Sequence, residues 1–401
     1  MKVSKEDILE ARQRLAKIIQ RTHVDQSISA SQLVGADLFF KFENTQRTGS
    51  FKIRGAFNKI AVLTESEKAR GVVASSAGNH AQGVALSASL AGVKATIVMP
   101  QTAPLAKVTA TQSYGAEVIL HGEIYDEAFD KAQELVRNRN LVFIPPYEDP
   151  HVIAGQGTIG LELLEQLPDL DTVIIPVGGG GLISGVALAL KSFNPQIRVI
   201  GVQSEQAPGM VELFKGIVPN PNRKKISTIA DGIAIKNPSK IMYDSFISKY
   251  VDEMVTVSED EIAESIVYLI ERLKTVTEGS GAAGFAAVMN GKVKLGKKNL
   301  ILLCGGNIDL NMVAKVIERG QIKRGRLVPL SVIVEDVPGK LSQITQILAE
   351  QKANILQVHH DRVSAGLYLR ETKIEFELET ISAEHVEKIK KAILKTGARL
   401  V

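Results

Sequence analysis

From about residue 65 to residue 310 the chain alternates short apolar runs with stretches of helical period. That alternation predicts a parallel sheet covered by helices, an α/β fold. Strands are predicted at GVVAS (71–75), KATIVMP (94–100), AEVILHG (116–122), DTVIIPV (171–177), IRVIGVQ (197–203) and NLILLC (299–304). Several of these runs stop at glycine, asparagine or serine and reopen as helices. Ligands of open parallel sheets collect at strand carboxyl ends. The loops SSAGNH, PVGGGGLISG and LLCGGNID all occupy that position and are expected to face one cleft.

Beyond a basic connector, ERGQIKRGR (318–326), the pattern changes. Val328, Leu330, Val332 and Val334 alternate as a strand does, while Leu341, Ile344, Ile347 and Leu348 share one helix face. Ile374, Phe376 and Leu378 alternate again, ahead of a helix that opens at a Ser382 cap and closes near Gly397. The order strand, helix, strand, strand, helix, strand predicts a separate βαββαβ domain over 327–401. A larger domain is expected over 1–320, with a smaller subdomain at about 41–149.

Composition narrows the partners. The 401 residues are 45% hydrophobic and 23% charged, enough for a substantial core, and the net charge of +4 is small. No aromatic residues punctuate a basic stripe, so nucleic acid is not expected as a partner. The first 20 residues read as a charged amphipathic helix without a signal peptide or membrane span, so a cytoplasmic protein with no membrane partner is expected. A single cysteine excludes an internal disulfide framework and a cysteine-built zinc site.

PVGGGGLISG follows an apolar strand and precedes a helical run, so backbone N–H groups at Gly178, Gly179, Gly180 and Gly181 can converge beside a helix N-terminus as an anion cradle. Nucleotide motifs do not fit it. A G-x-G-x-x-G frame begun at Gly178 ends on Ile183, one begun at Gly179 ends on Ser184, and Val186 stands where a Walker lysine belongs. The bland alternative is a tight turn with glycines for packing. In TGSFKIRGAFNK, Lys52 sits at a helix start, where the backbone dipole favours negative charge. A phosphate cradle together with a lysine outside any nucleotide motif suggests pyridoxal phosphate, held by its phosphate at a helix end and bound covalently to a lysine. Alone, Lys52 would read as a solvated cation.

Four stretches in order, SFKIRGA (50–56), SSAGNHAQG (75–83), PVGGGGL (176–182) and LCGGNIDL (303–310), resemble the fold type II pyridoxal-phosphate enzymes of the tryptophan synthase β-like fold. The resemblance is to the threonine/serine dehydratases, or threonine ammonia-lyases, and runs over about residues 5 to 320. It implies that Lys52 forms the Schiff base with the cofactor aldehyde, that Phe51 packs by the pyridine ring and that Asn79 bonds the phenolic oxygen. Gly178 to Gly181 match the phosphate loop, and Cys304 takes the position beside the pyridine nitrogen. Ser75, Ser76, Gly78 and His80 fall in the loop that holds the substrate carboxylate through hydroxyl and backbone donors. Glu278, in TEGSGAAGFAA, resembles a cofactor-side glutamate, with a plain helix N-terminal charge as the alternative.

The implied reaction is L-threonine to 2-oxobutanoate and ammonia, with L-serine as a second substrate, in a homodimer or homotetramer. Serine racemases carry a serine where Ala77 lies, so racemisation is expected to be slow. Their divalent-cation carboxylates are replaced where Gln203 and Gly209 fall; no divalent metal is expected, and a monovalent cation stays open. Racemase, β-replacement synthase and non-catalytic amino-acid sensor remain the competing readings. Residues 327–401 resemble an ACT domain, whose first turn reads like EDVPGKLSQI, with Asp336, Pro338 and Gly339 matching. That resemblance implies an isoleucine or valine effector and a place in isoleucine biosynthesis; an inert dimerisation module is the alternative.

Overall fold

A computed structural model describes residues 1–220, 223, 226–363 and 366–401. It divides into two compact units, Met1–Asp309 and Leu310–Val401.

The first unit holds two sheets. One runs Glu117–Leu120, Ala95–Met99, Val72–Ser75, Val142–Phe143, all parallel. The other runs Val24–Gln26, Asp37–Lys41, Lys298–Leu302, Thr172–Pro176, Arg198–Ser204, Glu253–Val257, parallel except at its first pair. Every residue of Ala95–Met99 and Thr172–Pro176 is buried, which is why these strands read as unbroken apolar runs with no alternation. The six predicted strands are all present, within two residues at either end. Four others lie outside that reading: Val24–Gln26, Asp37–Lys41, Val142–Phe143 and Glu253–Val257.

Three helices carry the architecture that matters for chemistry. Pro150–Gln166 begins with proline at its first position and Asp149 as its cap, accepting from the amides of His151 and Val152 at 2.8 and 3.1 Å. Its glycines let two other helices approach to backbone contact. A Cβ at Gly155 would lie 2.5 Å from the Arg54 carbonyl and 2.7 Å from Gly55 Cα, in the helix Lys52–Ala61. Further along, Gly157 and Gly160 face the helix Gly181–Phe193, where a Cβ at Gly185 would meet the Gly157 amide at 2.6 Å.

A buried charge cluster ties the same elements together. The Arg54 guanidinium donates to Glu43 from Nε (2.8 Å) and Nη2 (2.7 Å), and to Glu162 from Nη1 (2.7 Å) and Nη2 (3.0 Å). Lys41 Nζ, 2.5 Å from Glu162, also donates to the Thr22 carbonyl at 2.8 Å. Two cations and two carboxylates share the site. Arg54, Lys41 and Glu43 are fully buried.

The second unit opens with the helix Leu310–Lys323, so its division from the first falls upstream of the 318–326 connector. Four antiparallel strands follow in the order Asn354–Asp361, Glu371–Glu379, Leu327–Glu335, Arg399–Leu400, with helices Lys340–Glu350 and Ala383–Leu394. Ser382 caps the last helix, accepting from the His385 amide. Leu330, Val332, Val334, Ile344, Leu348, Ile374, Phe376 and Leu378 form its core, the faces that the alternation marked.

Gly155→Ala tests the helix contact. The atoms a methyl would strike are backbone and cannot rotate away, so the substitution is expected to cost about 2 kcal/mol or more, read as a lowered urea midpoint at unchanged slope.

Candidate active site

Lys52 is the first residue of its helix, and the turn before it is pinned to the end of the strand Lys298–Leu302. Ser50 bridges to Gly305, and the Phe51 amide donates to the Cys304 carbonyl at 3.2 Å. The Lys52 ammonium donates to the Pro146 carbonyl at 3.1 Å and lies 5.2 Å from the centre of the Phe51 ring. Desolvation lowers its pKa to about 8, against the opposing pull of Cys304 and Glu278. The positive pole of the helix N-terminus acts in the same direction. A lysine at this spot loses its proton more readily than a solvated one.

The loop after Val72–Ser75 approaches from another strand end. Ser75 Oγ is buried and meets no partner among the described residues, whereas Ser76 Oγ accepts from the Gly78 amide at 3.2 Å. Asn79 opens the helix Asn79–Leu90; its Nδ2 donates to Glu278 Oε1 at 2.7 Å. Its Oδ1 accepts from Asn307 Nδ2 at 2.7 Å, a nitrogen that also donates to the Thr48 carbonyl at 2.7 Å. The ring of His80 points elsewhere. Its Nε2 stands 2.9 Å from the Ile144 carbonyl and must donate there, and burial, reinforced by the charge of Lys52, pushes its pKa down to about 3. His80 is therefore a neutral imidazole, with its backbone amide left as a donor at the helix start.

Glu278, almost fully buried, precedes the helix Gly279–Met289. Burial and the nearby Asp231 push its pKa up to about 7, while Asn79, Lys107 and Lys52 restrain the rise. The buried Cys304 thiol is pushed well up by desolvation and stays protonated across the neutral range. Gln203, in the region compared above with a cation site, spends its side chain on the Val177 carbonyl and the Met210 and Val211 amides.

At the end of Thr172–Pro176, the amides of Gly178, Gly179 and Gly180 donate to no acceptor among the described residues. The first amides of Gly181–Phe193 add to this unpaired set. Gly180 has φ 93°, a left-handed conformation that glycine adopts without strain. The glycines are also tightly packed. A Cβ at Gly179 would lie 2.4 Å from the Tyr147 ring, one at Gly181 would lie 2.8 Å from Tyr147 Cβ, and one at Gly178 would lie 3.0 Å from Ile233 Cα. The residues whose amides are left unpaired are thus also the tightly packed ones.

Lys52, Phe51, Asn79, Glu278 and Cys304 thus share one neighbourhood, and the residue pair Pro146–Tyr147 joins it to the glycine loop. Asn307 and Tyr147 were not among the expected site residues. Asn307 lies within the GGN motif but looks like a turn residue, and Tyr147 offers only an aromatic after two prolines. Asp336, Pro338 and Gly339 belong to the second unit. There they line a cavity of about 350 Å³ together with His360, Arg362 and Thr372.

Comparison with known proteins agrees with this geometry. Residues 15–305 match the family model described as pyridoxal-phosphate dependent enzyme. The chain belongs to the pyridoxal-phosphate dependent enzymes. It is 50% identical over 396 residues to an L-threonine ammonia-lyase of Thermotoga maritima, an alignment covering 98% of each chain. It is 50% identical over 317 residues to a catabolic L-threonine dehydratase of Escherichia coli strain K12, covering 78% of this chain and 96% of the relative. Among solved structures, maize serine racemase superposes with a TM-score of 0.74 at 36% identity, covering 80% of this chain and 98% of that one.

As a pyridoxal-phosphate dependent enzyme, the chain needs an anion pocket and an amine for an aldehyde. The unpaired glycine amides fit the first and the desolvated Lys52 fits the second. Below pH about 8 the Lys52 amine is protonated and unreactive; above it the amine is neutral. Acylation of Lys52 in cofactor-free protein, followed by peptide mass spectrometry, is expected to rise through pH about 8, whereas solvated lysines respond near ~10.4. A Lys52 response at the solvated value would contradict the burial argument.

Proposed function

We propose that this chain is an L-threonine ammonia-lyase that converts L-threonine to 2-oxobutanoate and ammonia, with L-serine as a second substrate, and that it works in the cytoplasm. The observation that carries this reading is the desolvated amine of Lys52, linked through Pro146 and Tyr147 to a set of unpaired glycine amides. The named relatives and the absence of a hydroxyl at Ala77 support a dehydratase over a racemase.

When bound, pyridoxal phosphate supplies an electron sink that acidifies the substrate α-carbon. Lys52 Nζ, when free and above its pKa of about 8, would take the α-proton as general base. The β-hydroxyl leaves as water, and a later water releases ammonia and the keto acid. Gly178, Gly179, Gly180 and Gly181 offer amides to the cofactor phosphate, and Asn79, fixed by Glu278 and Asn307, offers its amide to the phenolic oxygen. Phe51 would pack by the cofactor ring. The neutral Cys304 thiol would face the pyridine nitrogen without a full charge, which would favour prompt loss of the hydroxyl over chemistry that needs a stronger sink. The unspent Ser75 hydroxyl, with Ser76, Gly78 and the His80 backbone amide, receives the substrate carboxylate.

The second unit is read as an ACT-like effector domain for isoleucine or valine, in a homodimer or homotetramer serving isoleucine biosynthesis. Asp336, Pro338 and Gly339 line its cavity; Arg362 Nε donates to Asp336 at 3.0 Å, and the buried His360 Nε2 has no partner among the described residues. An amino acid offers an ammonium for Asp336 and a carboxylate for Arg362. Regulation requires that the effector bind two conformations unequally.

Lys52→Ala is expected to lower ammonia release from threonine by about a thousandfold or more, with loss of the cofactor-derived absorbance band. Release at the wild-type rate would end the proposal. Isothermal titration of the full chain with isoleucine and with valine tests the effector; heat from at least one, with a matching shift in threonine kinetics, is expected, and neither heat nor shift removes the regulatory reading.

A further inference from the structure

Tyr147 lies across the glycine loop, and its position is fixed on both sides. Pro145 and Pro146 precede it and stiffen its backbone. After it, the Asp149 amide donates to its carbonyl at 3.0 Å, and Glu148 accepts from Ser239 Oγ at 2.8 Å. The ring stands where a Cβ at Gly179 would be, 2.4 Å from Cδ1 and Cε1 and 2.5 Å from Cγ. Its own Cβ and Cα stand 2.8 and 3.0 Å from where a Cβ at Gly181 would be. A Cβ closer than 3.0 Å forces something to shift; at Gly181 the atoms met are Cβ and main chain, which cannot swing aside, and at Gly179 they are atoms of the ring itself. Pro146, the residue before, receives the Lys52 ammonium.

We propose that Tyr147 is the positioning residue of the anion cradle: its ring is what requires glycine at 179, its Cβ and main chain press on glycine at 181, and its contact holds the loop amides unpaired and facing the phosphate of the cofactor. The inference rests on the reading of Gly178–Gly181 as the phosphate loop. It differs from the usual account of such loops, in which glycine is needed for the ligand's approach. Two surfaces press on one short strand-to-helix turn, the aromatic ring from the side-chain face and the anion from the amide face. The ring therefore substitutes for the side chains the loop lacks.

The test is a double-mutant cycle read by equilibrium binding of pyridoxal phosphate, followed by absorbance, to full-length protein stripped of cofactor, with pyridoxal as the phosphate-free probe. Tyr147→Phe keeps the ring and is expected to bind pyridoxal phosphate within about twofold of wild type, whereas Tyr147→Ala is expected to weaken it about tenfold or more while leaving pyridoxal binding unchanged. Gly179→Ala is expected to cost about tenfold or more in the wild-type background and less than about twofold in the Tyr147→Ala background, where the clash is gone. Equal cost of Gly179→Ala in both backgrounds, or wild-type affinity in Tyr147→Ala, overturns the proposal. If Gly179→Ala does not fold, the Phe, Ala and pyridoxal comparison decides alone: a parallel loss of both probes in Tyr147→Ala marks a merely structural role and overturns it. Wild-type protein that binds both probes equally would instead overturn the phosphate-loop reading beneath it.

Discussion

Helices normally keep their backbones apart by the width of their side chains, and the helix Pro150–Gln166 gives up that spacing at Gly155, Gly157 and Gly160. The consequence is geometric. Lys52–Ala61 and Gly181–Phe193 both close onto one strut, so the helix that begins with the lysine and the helix that begins at the glycine loop are held in a common frame. The charge cluster reinforces the same frame, because Arg54 belongs to the lysine helix and Glu162 to the strut. Buried ion clusters add little net stability relative to apolar packing, yet removing one member strands a charge in a low-dielectric interior. Arg54, Glu43, Glu162 and Lys41 consequently behave as a unit, and the Arg in SFKIRGA serves the fold two residues after Lys52.

One cause also organises the electrostatics of the site. Desolvation lowers Lys52 and His80 and raises Glu278 and Cys304, so each group moves toward its neutral form. A site so depleted of fixed charge leaves the anion to backbone dipoles and leaves the amine free to exchange a proton near neutral pH. Charge returns farther out, where Lys107 pairs with Asp231 at 3.0 Å. The threonine ammonia-lyase chemistry needs this division. A permanently charged lysine could not act as a base, and a carboxylate in place of Cys304 would present a full negative charge.

Much of this was legible in the sequence, and the exceptions share a physical reason. Strands buried on both faces write continuous apolar runs and were found; the short strands Val24–Gln26 and Val142–Phe143 are too brief to leave a period. Asp37–Lys41 pairs with Lys298–Leu302, more than two hundred residues away, and ends in a lysine whose burial depends on the charge cluster. Gly178–Gly181 could be read as an anion cradle from local pattern. The ring pressed against it could not, because Tyr147 comes from the segment ahead of a different helix. His80 shows the same limit: its motif suggests a polar contact to a ligand, while the fold turns the ring onto Ile144.

The roles of the three loops depend finally on how they are joined. Asn307 Nδ2 donates at 2.7 Å both to Thr48, in the turn before Lys52, and to Asn79, whose own amide donates to Glu278. A continuous path of side-chain and backbone hydrogen bonds therefore runs from the lysine turn, through the loop after Ser75, to the residue before Gly279. Hydrogen bonds within a buried chain polarise one another, so Asn79 is oriented from both sides at once and has one orientation compatible with its neighbours. Either protonation state of Glu278 leaves an oxygen to accept from Asn79. The link thus survives titration of Glu278 near pH 7, and the geometry around Lys52 is insulated from that change of charge.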